Sequence, residues 1–528
     1  MNAASRVLNP WIVALAVIIP TFMEVLDTTV ANVALSHIAG GLSAAVTDSE
    51  WVITSYLAAN AIILPITGWL AAHFGRRRYF LFSIAVFTAA SLLCGCASSL
   101  GELILFRVIQ GLAGGGLQPS SQGILLDTFP AEKQGSAQTL FGLAALLAPV
   151  VGPTLGGWLT DQYSWRWIFY INFPVGLFAF FFCFAVVHDP PYLRDGLEAL
   201  KKKPFQFDST GLVLLVAMIV SWEVLLSKGQ EWDWLGDPFG RIQMLLVLFI
   251  GGLGGLIYWE TRQAQPIVNF RVLLDRNFAI SCVIIFFSYA ILYGSSTQLP
   301  ALLETLFGYD TLHAGLVLSP SGFFALVAII IGGRLLGFGL DARWLIGLGL
   351  GIMALASYWM AQMNLDIGAS QVVWPRNVLI LGLALVFAPL NVAAYLYIPQ
   401  KLRGAAVGLF ALLRNEGGSF GTSVAQTIVE RREQFHTLRL NENLDPLNPS
   451  VSAFIDQTQP NLLQLTGDPV AAQQMTLQAL SNLRGEQALS LSYFDCFFVF
   501  AVTGSALVFL VPWMRRSVVE KGAHIAAE

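Results

Sequence analysis

Fourteen apolar runs, each long enough to cross a bilayer, constrain this chain more than any other feature. A span needs about 20 apolar residues. The runs fall roughly at 13–35, 51–72, 79–98, 102–125, 137–160, 166–187, 209–228, 241–260, 278–300, 313–334, 343–362, 375–398, 404–430 and 490–514. In hydrocarbon no water satisfies a lone N–H or C=O, so runs of this length close their hydrogen bonds as helices. The expectation is an all-α integral membrane protein. The runs at 209–228, 375–398 and 404–430 are the least clear-cut as spans, since each carries charge or several polar groups. Composition agrees: 55% of the residues are hydrophobic and 12% charged, against about 25% charged in soluble domains. The net charge of −4 comes with no basic stripe, so nucleic acid is not an expected partner. Five cysteines lie in or beside apolar runs and six histidines are scattered. Neither a disulfide framework nor a metal site is expected.

Basic residues fix the orientation. With the N-terminus inside, the inner loops receive Arg76, Arg77, Arg78, Lys133, Arg194, Lys201, Lys202, Lys203, Arg262, Arg271, Arg276, Arg334, Arg343, Lys401 and Arg403, and the tail adds Arg515, Arg516 and Lys521. Outer loops are richer in acids, as in GQEWDWLGD at 229–237. An even number of spans with both termini in the cytoplasm satisfies the positive-inside rule. The first run reads as a retained helix rather than a removable leader. Tyr163, Trp165, Trp167 and Tyr170 gather at one outer boundary. Residues 431–489 form a long polar outer loop, read as an ordered or partly helical periplasmic element, with a floppy connector as the alternative.

Charge inside the spans is where chemistry is expected. In PTFMEVLDTTVANVAL (20–35), Glu24 and Asp27 stand three apart and share one helix face. An ionised acid there costs roughly 2.5–3.5 kcal/mol on insertion scales. Burial disfavours the charged form, and a second acid adds to that effect. At least one of the two is therefore expected to bind and release a proton; a hydrogen-bonded or snorkelling acid is the bland alternative. Arg107, in span four, either pairs with an acid on span one or snorkels to the outer surface. Span five, GLAALLAPVVGPTLGG, carries Pro149, Gly152, Pro153, Gly156 and Gly157. Such a helix is expected to bend and to pack closely. The turn GWLAAHFGRRR places Gly68, Gly75 and Arg76 at an inner gate, or simply anchors the loop by its charge. Arg414, Asn415 and Glu416 interrupt span thirteen. At that spacing they face different neighbours or the helix is broken. Asn32, Gln110 and Glu223 join them as candidate polar groups of a substrate cavity, and Asp495 is a further acid. GLAGGG (111–116) lies in a span without a Lys-Ser/Thr pair, so it is no phosphate loop. No nucleophile, base and orienter set is legible, and an enzyme is not expected.

The chain also resembles itself. Pro130, Gly135, Ala137, Leu140, Phe141 and Gly152 align without gaps to Pro399, Gly404, Ala406, Leu409, Phe410 and Gly421. Each segment leaves an inner basic loop and opens a glycine-rich span; chance matching in Gly/Ala-rich sequence is the alternative. Same-sense halves mark a two-bundle transporter. The resulting division is 1–187 as an N-terminal six-helix bundle and 188–277 as a cytoplasmic linker with two extra spans. Residues 278–528 form a C-terminal six-helix bundle that includes the 431–489 loop.

Taken together, VLDTTVANVAL, GWLAAHFGRRR, RVIQGLAGGG, GPTLGG, SWRWIFYINFPVG and LLRNEGGSFGTS resemble the major facilitator superfamily, specifically its fourteen-helix EmrB/QacA-like drug:proton antiporters. PIVNFRVLLDRNF (266–278) and the long outer loop lean toward EmrB-like members. The resemblance implies a major facilitator fold and export of hydrophobic or amphipathic compounds driven by the proton gradient, with no cofactor. It assigns Asp27 to the span-one signature, Arg107 to proton handling and Gly152-Pro153 to the antiporter signature. It also implies a bacterial inner-membrane location, a periplasmic adaptor and an outer-membrane channel. One departure stands out: the loop after span two usually has an acid where this chain has Ala72, which removes an expected gating salt bridge. A dedicated exporter of one metabolite or siderophore is the rival within the class; an uncoupled channel or sensor is the rival outside it.

Overall fold

The computed structural model describes residues 9–518 except 131–132, 191–192, 194–207, 264–265, 310, 366–367 and 446. Arg194, Lys201–Lys203 and Lys521 lie outside the described residues. The long helices, in chain order, begin with α1 (Pro10–Val33), α2 (Trp51–Phe74) and α3 (Arg76–Cys96). They continue with α4 (Leu100–Thr128), α5 (Gln134–Gln162) and α6 (Trp167–Val186). Then come α7 (Ser209–Lys228), α8 (Arg241–Arg262), α9 (Arg276–Leu306) and α10 (His313–Gly337). The last are α11 (Ala342–Ala361), α12 (Ala369–Tyr395), α13 (Arg403–Asn441), α14 (Pro449–Thr466) and α15 (Pro469–Val508). The described residues contain no strand.

Twelve helices are long and apolar enough to cross a membrane, thirteen when the bent α5 is included. The fourteenth expected span is α13. Arg414, Asn415, Glu416 and two following glycines dilute its apolarity, yet it is one unbroken helix of 39 residues. Its first part is packed among α2, α9 and α15, and beyond Glu430 it runs on as a polar helix. The 431–489 segment is thus mostly helical: the end of α13, all of α14, and the first half of α15, against which α14 packs.

Proline and glycine shape the spans as their chemistry requires. α5 bends by 44° between Gly135–Pro149 and Thr154–Gln162, where its prolines withhold two backbone donors. α4 breaks at Gly115–Gly116. A Cβ at Gly111 would sit 2.5 Å from the Tyr56 carbonyl oxygen, and one at Gly115 would strike that of Asn60. The glycine run that carries no phosphate chemistry therefore lets α2 lie directly on α4. Burial sorts the helices: α12 buries 89% of its apolar stretch and α8 only 17%. α8 is therefore a lipid-facing helix, and α12 part of the core.

Of the expected boundary aromatics, Tyr163 and Trp167 are exposed. Trp165 is not: it is buried against Gly41, stacked beneath Arg166, so it serves packing rather than the belt.

Candidate functional site

Glu24 and Asp27 are both buried, each 3% exposed. They lie in the middle of the helix assembly rather than at its surface. Asp27 accepts from Arg107 Nη1 at 2.5 Å, Gln110 Nε2 at 2.9 Å and Asn172 Nδ2 at 2.7 Å. Arg107 is wholly buried; it does not snorkel. Its Nε donates to the Val52 carbonyl at 3.2 Å and its guanidinium lies 4.1 Å from the Tyr56 ring centroid. Helices α1, α2, α4 and α6 thereby close one ion pair with all of Asp27's principal directions occupied.

Glu24, one turn earlier, has a different shell. Asn60 Nδ2 donates at 3.0 Å, Tyr56 Oη at 3.4 Å, and Gln118 Nε2 at close range. All three donors are neutral. The nearest cation arrives indirectly: Arg414 on α13 donates to Gln118 Oε1, so a single amide joins that arginine to the acid on α1. Beside it, Asn415 Nδ2 reaches Asn60 Oδ1 at 3.3 Å. Glu416, the next residue, turns toward Glu223 on α7, whose carboxylate also accepts from Ser419 at 3.2 Å. Three consecutive residues of one unbroken helix thus serve three neighbours, and the alternative of a broken helix is ruled out.

The glycine face of α5 packs on the helix that carries the acids. A Cβ at Gly152 would collide with Thr29, and one at Gly156 would come within 3.1 Å of Val30. Thr29 also donates toward the Ala148 carbonyl at 3.5 Å. Pro149 is half-buried, Gly157 has open space where a Cβ would go, and the side chain of Pro153 lies outside the described residues. The expectation of close packing therefore holds for Gly152 and Gly156 but not for Gly157.

At the end marked by the basic loops, a Cβ on Gly68 would fall 2.6 Å from the Gly404 carbonyl carbon. α2 and α13 therefore touch backbone to backbone. Gln122 Nε2 on α4 donates to Asn391 Oδ1 on α12 at 2.7 Å and to Gln138 Oε1 on α5 at 3.2 Å. These contacts close the basic end. Gly75, at φ +88°, makes the turn into α3, and Arg76 pairs with Asp127 at the foot of α4. Ala72 removes one acid from this turn, yet Arg76 still has a carboxylate.

Asn32 stands apart. It is exposed near the far end of α1 and is not among the groups that meet Glu24 or Asp27, because five residues rotate it off their face. Asp495 is also elsewhere, held by Arg432 at 2.6 Å and His436 at 2.7 Å. Tyr56, Asn60, Gln118 and Asn172 were not singled out from sequence. Their signal is present: each is a hydrogen-bonding side chain inside or beside an apolar run, where it needs a partner.

A closed assembly of spanning helices, with a charged cluster at its centre and close glycine contacts between its helices, defines a membrane transporter. Residues 17–422 match the Major Facilitator Superfamily, and the chain belongs to that family, among its multidrug exporters. It is 37% identical over 473 residues to the multidrug export protein EmrB of Escherichia coli K12, covering 89% of this chain and 90% of that one. To the fatty acid resistance protein FarB of Neisseria gonorrhoeae it is 35% identical over 452 residues, covering 86% of each. The solved proton:xylose symporter XylE superimposes with a TM-score of 0.59 at 13% identity over 95% of this chain and 94% of that one; it supports the fold alone.

Proposed function

We propose that this multidrug transporter is an antiporter. Protons entering down their gradient drive export of hydrophobic or amphipathic compounds. The observation that carries the reading is the pair of buried acids held by different helices: Asp27 by Arg107, and Glu24 through Gln118 by Arg414. Glu24 has neutral donors only, and a buried carboxylate without a direct counter-ion is readily neutralised by a proton, a condition that the facing pair Glu223 and Glu416 also meets. Protonation would release Gln118 from Glu24, and with it the tie between α1 and α13. Substrate binding between α1 and α13 would favour the deprotonated, re-tied state. One charge moved through 100 mV supplies about 2.3 kcal/mol, so a few protons suffice for steep accumulation. Asp27 and Arg107 keep the neighbouring helices in register during this exchange, and the Gly152–Gly156 face of α5 is the surface on which α1 slides.

The working division is a bundle of α1–α6, a second of α9–α13 with α15, and α7–α8 between them. Basic loops support cytoplasmic termini and an inner-membrane location. The protruding α13–α15 element bears exposed apolar groups, among them Leu447 and Leu465. It is the surface we assign to a periplasmic adaptor leading to an outer-membrane channel.

The test is export from proteoliposomes under an imposed pH gradient. Wild type is expected to accumulate a hydrophobic dye against its gradient, and Glu24→Gln and Asp27→Asn to lose that accumulation. Gradient-driven export that survives both changes removes these acids from the mechanism.

A further inference from the structure

Four arginines are buried among the described residues: Arg76, Arg107, Arg376 and Arg414. Arg76 and Arg107 have carboxylates, and Arg414 is joined to Glu24 through Gln118. Arg376 has none. It lies two turns into α12, 4% exposed. Its guanidinium is held by hydroxyls alone: Nη1 donates to Ser295 at 2.8 Å and Nη2 to Ser296 at 2.6 Å, both on α9. Both hydroxyls spend their own protons on the Leu292 carbonyl, at 3.0 and 2.7 Å. They orient the guanidinium without neutralising it. Its Nε is buried and has no partner.

Arginine does not shed its proton, and a buried charge without a counter-ion costs several kcal/mol. An assembly that spends two serines to aim such a group, and leaves one edge of its planar fork unused, is built for an anion that comes and goes. We infer that Arg376, positioned by Ser295 and Ser296, is a recognition site for a monoanionic head group, a carboxylate above all, on an amphipathic substrate. A carboxylate fits the fork side-on with two parallel bonds. Of the residues that hold it, Ser296 is part-exposed and the next residue on α9, Thr297, is exposed, so this is the side of the guanidinium nearest the surface. The inference rests on the exporter reading and names a substrate class for it: amphipathic acids, recognised apart from the proton-handling acids.

The experiment measures equilibrium binding of radiolabelled dodecanoate and dodecyltrimethylammonium to the full chain in lipid nanodiscs, without a gradient. Arg376→Gln is expected to weaken dodecanoate binding about 10- to 100-fold, the range of a charge-assisted hydrogen bond, and to leave the cation within twofold. Its unfolding temperature is expected at or above that of wild type, because the change removes an uncompensated charge; a merely structural arginine would lower it. Dodecanoate binding within twofold of wild type, or equal loss of anion and cation, overturns the proposal. Should the variant fail to fold, wild type decides: dodecanoate raises its melting temperature and dodecanol does not, and equal effects of the two refute the anion site. Gradient-driven export of a cationic dye by Arg376→Gln tests the exporter reading separately, since that activity is expected to persist whichever way the anion result falls.

Discussion

Replacing Asp27 by Asn keeps the shape of the side chain and removes its charge, which strands Arg107 in a site where both side chains are at most 1% exposed. Breaking one partner of a buried pair costs about 3–5 kcal/mol; an exposed pair would cost at most about 1 kcal/mol. Unfolding entropy near 2.1 cal/mol/K per residue, over a chain of this length, makes ~1 kcal/mol worth ~1 °C in melting temperature. Asp27→Asn and Arg107→Met are each expected to lower the tryptophan-fluorescence melting temperature in mild detergent at pH 7.5 by about 3–5 °C. The double variant buries no charge and is expected to recover more than half of the summed single-variant losses of about 6–10 kcal/mol, giving a coupling of at least about 3–5 kcal/mol. Single variants within 1 °C of wild type, or strictly additive losses, would refute the pairing as a contributor to stability.

The glycines of α5 make a sharper contrast. Gly152→Val places a side chain on Thr29 and is expected to abolish transport and destabilise by about 1–3 kcal/mol, whereas Gly157→Ala, facing open space, should transport at the wild-type rate; equal activities would discard the α1–α5 contact. Gly68→Val pushes α2 off Gly404, and thiol labelling of a cysteine introduced at Gln122 is expected to quicken at least tenfold, with unchanged labelling as the contrary result. In the connector between α7 and α8, Asp237 is held down to about 2, chiefly by the Arg241 side chain and also by the backbone N–H groups of Phe239, Arg241 and Ile242. Its folded value lies below the ordinary one of 3.8, so its contribution is present above pH 4 and lost as pH falls through about 2. The melting-temperature penalty of Asp237→Asn should therefore be the same at pH 7.5 and 4.5; a penalty gone by pH 4.5 contradicts the assignment.

Much of the architecture was legible because the bilayer leaves a chain few choices. Run length marked fourteen of the helices, α13 among them as the 404–430 run, although Arg414, Asn415 and Glu416 dilute its apolarity. The acids were legible as anomalies, since Glu24 and Asp27 stand where charge is costly. Their partners were not. A sequence marks Arg107 as a group in need of an acid without saying which; that it meets Asp27 follows only from α1, α2 and α4 packing together, with α2 lying close on α4. That distance is set by Gly111 and Gly115. Neutral residues such as Gln118 and Asn60 carry still less signal, because an amide in a span is cheap enough to be ordinary until its partner is known. Arg376 was passed over for the opposite reason. It sits near a span end, where an arginine normally snorkels, and only the packing of α9 reveals it as buried and without a counter-ion.

The central claim is that a proton and a substrate compete through Glu24, and it is tested most directly by the proton itself. Purified protein in weakly buffered detergent, mixed with a saturating hydrophobic substrate near neutral pH, is expected to release protons into solution. Glu24→Gln should bind the same substrate and release fewer by the share that Glu24 holds. Release unchanged by Glu24→Gln, or substrate binding by wild type with no release at all across pH 6–8, would contradict the account.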